Sequence, residues 1–287
     1  MDFEKAVQFI WGNARLLERT VFEYRFEQGP AEHILAVLKT YQGADGGFGQ
    51  ALEPDLRAPQ SQPLFVEFAL NLLHGCRLRD PQLAYRACDF LALHADLKEG
   101  IATIFPSSQA YPRAEHWSHP GAQERSLDRL IGLVGLANWQ GIQHPWLQPA
   151  VDACFETLVN THYTDAHTLL SSLCLLESLP ERPETPGLFE RLGYELVNVN
   201  YFCADAPVSG YCLTPLDFAP HPDSYCHNWF TDAQLDGHLK QLEAGQEVDG
   251  GWSLAWQPPS EAAKWEWRAY KTLEALSTLR AYGRIAG

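Results

Sequence analysis

Tyr41-Gln-Gly-Ala-Asp-Gly-Gly-Phe-Gly-Gln-Ala-Leu-Glu-Pro-Asp-Leu-Arg57 is a glycine-rich turn with one aromatic, Phe48, followed by the charged side chains Glu53, Asp55 and Arg57. Half of it recurs far along the chain as Gln246-Glu-Val-Asp-Gly-Gly-Trp252. Two copies of Gln-x-x-Asp-Gly-Gly-aromatic point to one turn used twice. The Gly-Gly pair lets the backbone take positive φ and pass close to a neighbour. Asp45 and Asp249 can bond the backbone of their own turns. Gln42 and Gln246 stand where a helix ends and can tie that end to the turn, while Phe48 and Trp252 pack inward. Gln42, Asp45, Gly46 and Gly47, with Gln246, Asp249, Gly250 and Gly251, are therefore expected to fasten neighbouring helical hairpins.

Helical patterns lie on both sides of these turns. Residues 3–27 carry apolar positions at helical spacing and read as one segment, ended by Gly29-Pro30. Residues 31–41 form a second helix that runs into the first turn, and Pro63 opens a third. Asp80-Pro81, His144-Pro145 and Thr185-Pro186 each precede an apolar helical run. Each follows another, at 64–75, 127–139 and 167–179, so an αα-hairpin repeats. A last pair, near 232–244 and 261–283, brackets the second turn. Strand signals are nearly absent. The sequence predicts an all-α fold of roughly ten to twelve helices. Two long stretches, about 98–123 and 199–231, read as irregular loops of the kind that form lids or binding surfaces.

Composition narrows the function. Of 287 residues, 46% are apolar, enough for a sizeable core. Lys plus Arg is 21 against 36 for Asp plus Glu, a net charge of -15, which argues against nucleic acid and anionic membranes as partners. Seven cysteines without a CxxC or regular spacing read as reduced thiols. No basic-then-apolar leader and no apolar run long enough to cross a membrane is seen, so a cytoplasmic location is expected. The oligomeric state is left open.

Gln246-x-x-Asp-Gly-Gly-Trp252 resembles the QW-type repeat of squalene–hopene and oxidosqualene cyclases, and Gln42-x-x-Asp-Gly-Gly-Phe48 is similar to it. Protein prenyltransferase β-subunits carry related turns on the same α–α toroid. Asp45 to Arg57, continued by Ser61-x-Pro63, with Arg280-Ala-Tyr-Gly-Arg284, also resembles a group of small bacterial prenyltransferase-like toroid proteins. The resemblance implies one (α/α) toroid over residues 1–287, of five to six helical hairpins around a central cavity. The two long loops would cover one rim, and a small or isoprenoid-like molecule would occupy the cavity. The chain departs from these families in its chemistry. It has no Asp-x-Asp-Asp acid motif, and the turn that would carry the prenyltransferase Asp-x-Cys zinc pair reads Asp249-Gly-Gly-Trp252. Fold likeness alone does not assign a reaction.

The candidate catalytic residues are Glu53, Asp55 and Arg57. On an extended loop they project to one side, and two carboxylates beside a guanidinium can hold one acid neutral and the other ionised. A loop held by an ion pair is the plain alternative. Phe48, His116, His119, Trp229, Trp252 and Trp256 are candidate substrate contacts, from the turns, the Glu115–Glu124 loop and the tryptophan-rich last third. No cofactor is expected. Zinc has only the Asp223, Cys226, His227 cluster to support it, in a spacing that matches no closed site. Three readings follow: an acid–base enzyme of cyclase, isomerase or lyase type; an (α/α)-barrel carbohydrate hydrolase or lyase; and a non-enzymatic toroid that binds a lipid or partner.

Overall fold

The computed structural model describes residues 1–179 and 182–285. Among them are twelve α-helices and one pair of two-residue strands, so the chain is all-α in character. None of these helices is long and apolar enough to cross a membrane. The residues divide into two compact units, Met1–Ile34 with Val197–Gly287, and Leu35–Leu196.

The second unit begins within α3 (Ala31–Thr40) and holds α4 (Pro63–Gly75), α5 (Pro81–His94), α6 (Leu127–Trp139), α7 (Leu147–Asn160), α8 (Ala166–Ser178) and α9 (Thr185–Leu196). Pro63 and Pro81 sit in first turns, where the missing N–H costs nothing. Asp80 caps α5, accepting from the Leu83 N–H at 3.0 Å and from Lys39 Nζ at 2.7 Å. Pro145 lies before α7 rather than in it, and His144 Nδ1 accepts the Trp146 N–H there at 3.2 Å. Helix α6 is the hub, packing against α4, α7 and α8. Residues 130–137 of α6 are buried all round. Helix α8 comes close because Gly135 has no side chain: a Cβ there would lie 2.4 Å from the Leu175 nitrogen.

The first unit holds α1 (Phe3–Asn13), α2 (Leu16–Phe26), α10 (Pro215–Phe218), α11 (Asp232–Ala244) and α12 (Glu261–Ala281). The long α12 packs against α1, α2 and α11. Arg25 donates to Ser277 Oγ at 2.8 Å, tying α2 to α12.

Three sequence expectations need correction. Residues 3–27 are two helices, not one segment. The chain is extended at Ala14 and Arg15, after the weak helix formers Gly12 and Asn13, and Arg15 then pairs with Glu18. The 98–123 stretch is not structureless. It contains three 3₁₀ turns, at Pro106–Ala110, Glu115–Trp117 and Pro120–Gln123. Its ends are closed by β1 (Ile101–Ala102) pairing antiparallel with β2 (Arg125–Ser126). The 199–231 stretch likewise contains α10, opened by a Thr214/Asp217 capping box, and a 3₁₀ turn at Tyr225–Trp229. Strands of two residues show no alternation to read.

Candidate active site

The two Gly-Gly turns carry the same hydrogen bonds. Gln42 Nε2 donates to the Gly46 carbonyl at 2.9 Å, and Gln246 Nε2 to the Gly250 carbonyl at 3.0 Å. Each amide reaches across to a helix as well, Gln42 to the Leu83 carbonyl of α5 and Gln246 to the Asp2 carbonyl before α1. Asp45 and Asp249 accept the N–H two residues on. Gly46 and Gly250 have φ of 86° and 95° and press on the Arg86 and Lys5 carbonyls. Phe48 is fully buried, and Trp252 is buried with its indole N–H on the Leu242 carbonyl. Neither plug offers surface to a ligand.

The acids belong to the first turn's continuation. Gln50 and Ala51 are both left-handed, at φ 58° and 55°, uncommon for residues with side chains. Their N–H groups bond the Pro59 and Ala58 carbonyls at 3.0 Å, closing residues 50–59 into a compact loop. The loop is not extended. The Leu56 N–H returns to the Glu53 carbonyl, and Leu52, Glu53, Asp55, Leu56 and Ala58 all point into protein. Arg57 is partly exposed.

A second loop is stitched onto this one. The Arg57 N–H donates to the Pro112 carbonyl at 2.9 Å and the Ala114 N–H to the Asp55 carbonyl at 2.8 Å, with Leu56 bridged to Arg113. That register sets the next turn, Glu115–Trp117, against the acids. His116 Nε2 lies 3.5 Å from Asp55 Oδ2, with the imidazole about half exposed and the carboxylate buried. His116 stands edge-on to Trp117 at 4.6 Å.

Glu53 is 5% exposed, and its Oε2 has no hydrogen-bond partner. Burial pushes its pKa up to about 8, and the neighbouring Asp55 charge pushes the same way. The Trp117 indole and the backbone N–H groups of Asp55 and Leu56 pull it down by less. Trp117 Nε1 is itself buried without a hydrogen bond, so the indole acts on Glu53 by proximity. Burial also lowers the pKa of His116, helped by the nearby, exposed His119. At neutral pH the site holds a protonated carboxylic acid and an unprotonated imidazole, with Asp55 between them in sequence.

No protein-family model matches the chain, and no curated protein is significantly similar to it.

Of the other expected site residues, Trp229, Trp252 and Trp256 belong to the unit that contains α12. Trp229 is half-buried at the end of its 3₁₀ turn. Asp223, Cys226 and His227 do not converge: Asp223 is exposed and 3.5 Å from His221, Cys226 is buried, and His227 stacks on Tyr282. Among the described residues no group of three or more His, Cys, Asp or Glu side chains is arranged to hold a metal ion. The structure adds Trp117, and also His74 of α4, 4.0 Å from Glu177 of α8. Burial raises the Glu177 pKa to about 7 and lowers that of His74. Trp117 was legible only as a neighbour of His116. The His74–Glu177 approach depends on helix packing and has no local signal.

Proposed function

We propose that the chain is an enzyme that uses Glu53 as a general acid, with Asp55 and His116 as its ionised and basic partners. The observation that carries this is Glu53 itself: a buried carboxyl beside a second carboxyl, with one oxygen unpartnered and its proton held to about pH 8. A structural acid at a loop is normally exposed or neutralised by a base. A buried acid kept neutral beside an Asp55 that itself faces an accessible imidazole suits proton transfer to an alkene, a carbonyl or a leaving group. His116, partly exposed and unprotonated, accepts the proton removed later in the cycle. Burial, reinforced by the Asp55 charge, keeps Glu53 protonated, and Asp55 orients the imidazole through Nε2.

The turn resemblance to cyclases and prenyltransferases, together with hairpins α4–α5, α6–α7 and α8–α9, supports a toroid-type scaffold and a small, isoprenoid-like substrate. The two left-handed residues that lead into the acid loop support a role for strain in placing the acid. The test is turnover of isoprenoid alcohols, diphosphates and squalene-type hydrocarbons, followed by mass spectrometry of products. Glu53→Gln is expected to lower any turnover about 100-fold or more, and His116→Ala to lower it less. Turnover untouched by both Glu53→Gln and Asp55→Asn would overturn the proposal.

A further inference from the structure

Beside the second Gly-Gly turn the surface opens into a groove of about 550 Å³, within the size range of small-molecule pockets. Glu247, Asp249, Trp256, Gln257, Lys264 and Arg268 line it, with Ser253 and three apolar side chains between them. Its charges cancel: two carboxylates face two cations. Arg268 is already committed, gripping Asp249 through two bonds of 2.7 Å and the Trp252 carbonyl at 3.1 Å. The remaining polar groups are accessible. Ser253, Gln257 and Glu247 are exposed, and Lys264 is within only 3.5 Å of Glu261. The groove therefore offers donors and acceptors in mixed order, without net charge to select an ion.

The one aromatic in the groove is held from behind. Trp256 is set at right angles to Trp267 at 5.4 Å and to Tyr211 at 6.2 Å, and Trp267 in turn to Tyr270 at 5.4 Å. Two perpendicular neighbours fix the indole, so it enters the groove as a preorganised platform at little entropic cost. A neutral ligand with one apolar face and many hydroxyl groups fits this set: the face stacks on the indole, and the hydroxyls meet the amide, hydroxyl, ammonium and carboxylate groups around it.

We infer that this groove is a binding site for a neutral oligosaccharide, separate from the acid site. The Asp249–Arg268 pair that fastens the turn also lines the groove, so the repeated turn gains a second use in this copy. The first copy lacks the equivalent: Asp45 takes its bond from Ser61 Oγ at 2.8 Å.

The test is a tryptophan-fluorescence and calorimetric titration of the whole chain with maltotriose, cellotriose and chitotriose. At least one is expected to bind saturably. Trp256→Ala is expected to weaken it about tenfold, the value of one aromatic contact. Gln257→Ala and Lys264→Ala, at accessible positions that leave the fold intact, are each expected to weaken it severalfold. Glu53→Gln is expected to bind as tightly as the parent chain, which separates this site from the acid site. No saturable binding of any of the three would overturn the inference. So would binding that ignores all three groove substitutions, or binding lost with Glu53→Gln but kept in Trp256→Ala.

Discussion

Replacing Glu53 by Gln keeps the shape of the neutral side chain and removes its titration. In the unfolded chain the carboxyl ionises near its ordinary 4.5, and in the folded chain near 8. Between those values the folded state holds a proton that the unfolded state has lost, so stability falls as pH rises through the window. At roughly 1.4 kcal/mol for each pH unit between the two values, the parent chain has lost about 1 kcal/mol of this contribution by pH 5.5 and about 4 kcal/mol by pH 8.5. The Gln variant loses none. Relative to the parent, Glu53→Gln should therefore gain about 3 kcal/mol between pH 5.5 and 8.5. Any fixed cost of the amide's extra N–H cancels in that difference. Urea unfolding of both proteins at the two pH values measures it through the midpoints at constant m. A stability difference that stays level across this range would show Glu53 already ionised in the folded chain, and would refute the acid assignment.

Other substitutions probe the scaffold around the two sites. Arg268→Met removes the Arg268 donor from the Trp252 carbonyl and leaves Asp249 with the Gly251 N–H but no cation; because Asp249 is half exposed, the expected loss is about 2 kcal/mol at pH 7, read by urea unfolding. Arg268 holds the Asp249 pKa below its ordinary value, so that stabilisation is present above about pH 3.8 and fades as pH falls below it; the variant should show a shallower acid loss. Gly46→Ala places a Cβ 2.1 Å from the Arg86 carbonyl at a left-handed φ and is expected to cost more than about 2 kcal/mol, with Gly250→Ala alike against Lys5. Gly135→Ala forces α6 off α8 and is expected to cost about 1–3 kcal/mol, seen as a lowered thermal midpoint.

The helices were legible because their signals are local. Pro63 and Asp80-Pro81 mark starts by chemistry that acts within one turn, and the structure begins α4 and α5 there. The break at Ala14 was not, since Gly12 and Asn13 only weaken a helix and the extended residues follow without a strong stop signal. The acid site was legible in part. Glu53 and Asp55 stood out as charges beside a glycine turn. Their burial did not, because it comes from Leu52, Leu56 and Ala58 turning inward together in a non-extended loop. His116 stood out in sequence as a candidate substrate contact in a polar loop, with no signal linking it to Asp55. Its place 3.5 Å from Asp55 depends on Leu56 pairing with Arg113, a contact between residues far apart in the chain. Phe48 and Trp252 were read both as inward plugs and as ligand contacts. In the structure both are plugs, because the position after Gly-Gly drives the ring into the core.

The protonation state of Glu53 in the folded chain is the quantity on which the functional reading rests. Infrared difference spectra between the parent chain and Glu53→Gln, taken from pH 5 to pH 10, report it directly through the carbonyl stretch of a neutral carboxylic acid. A neutral-carboxyl band is expected at pH 7, absent from the variant and lost with a midpoint near pH 8. A Glu53 signal that is already that of a carboxylate at pH 6 would contradict the account.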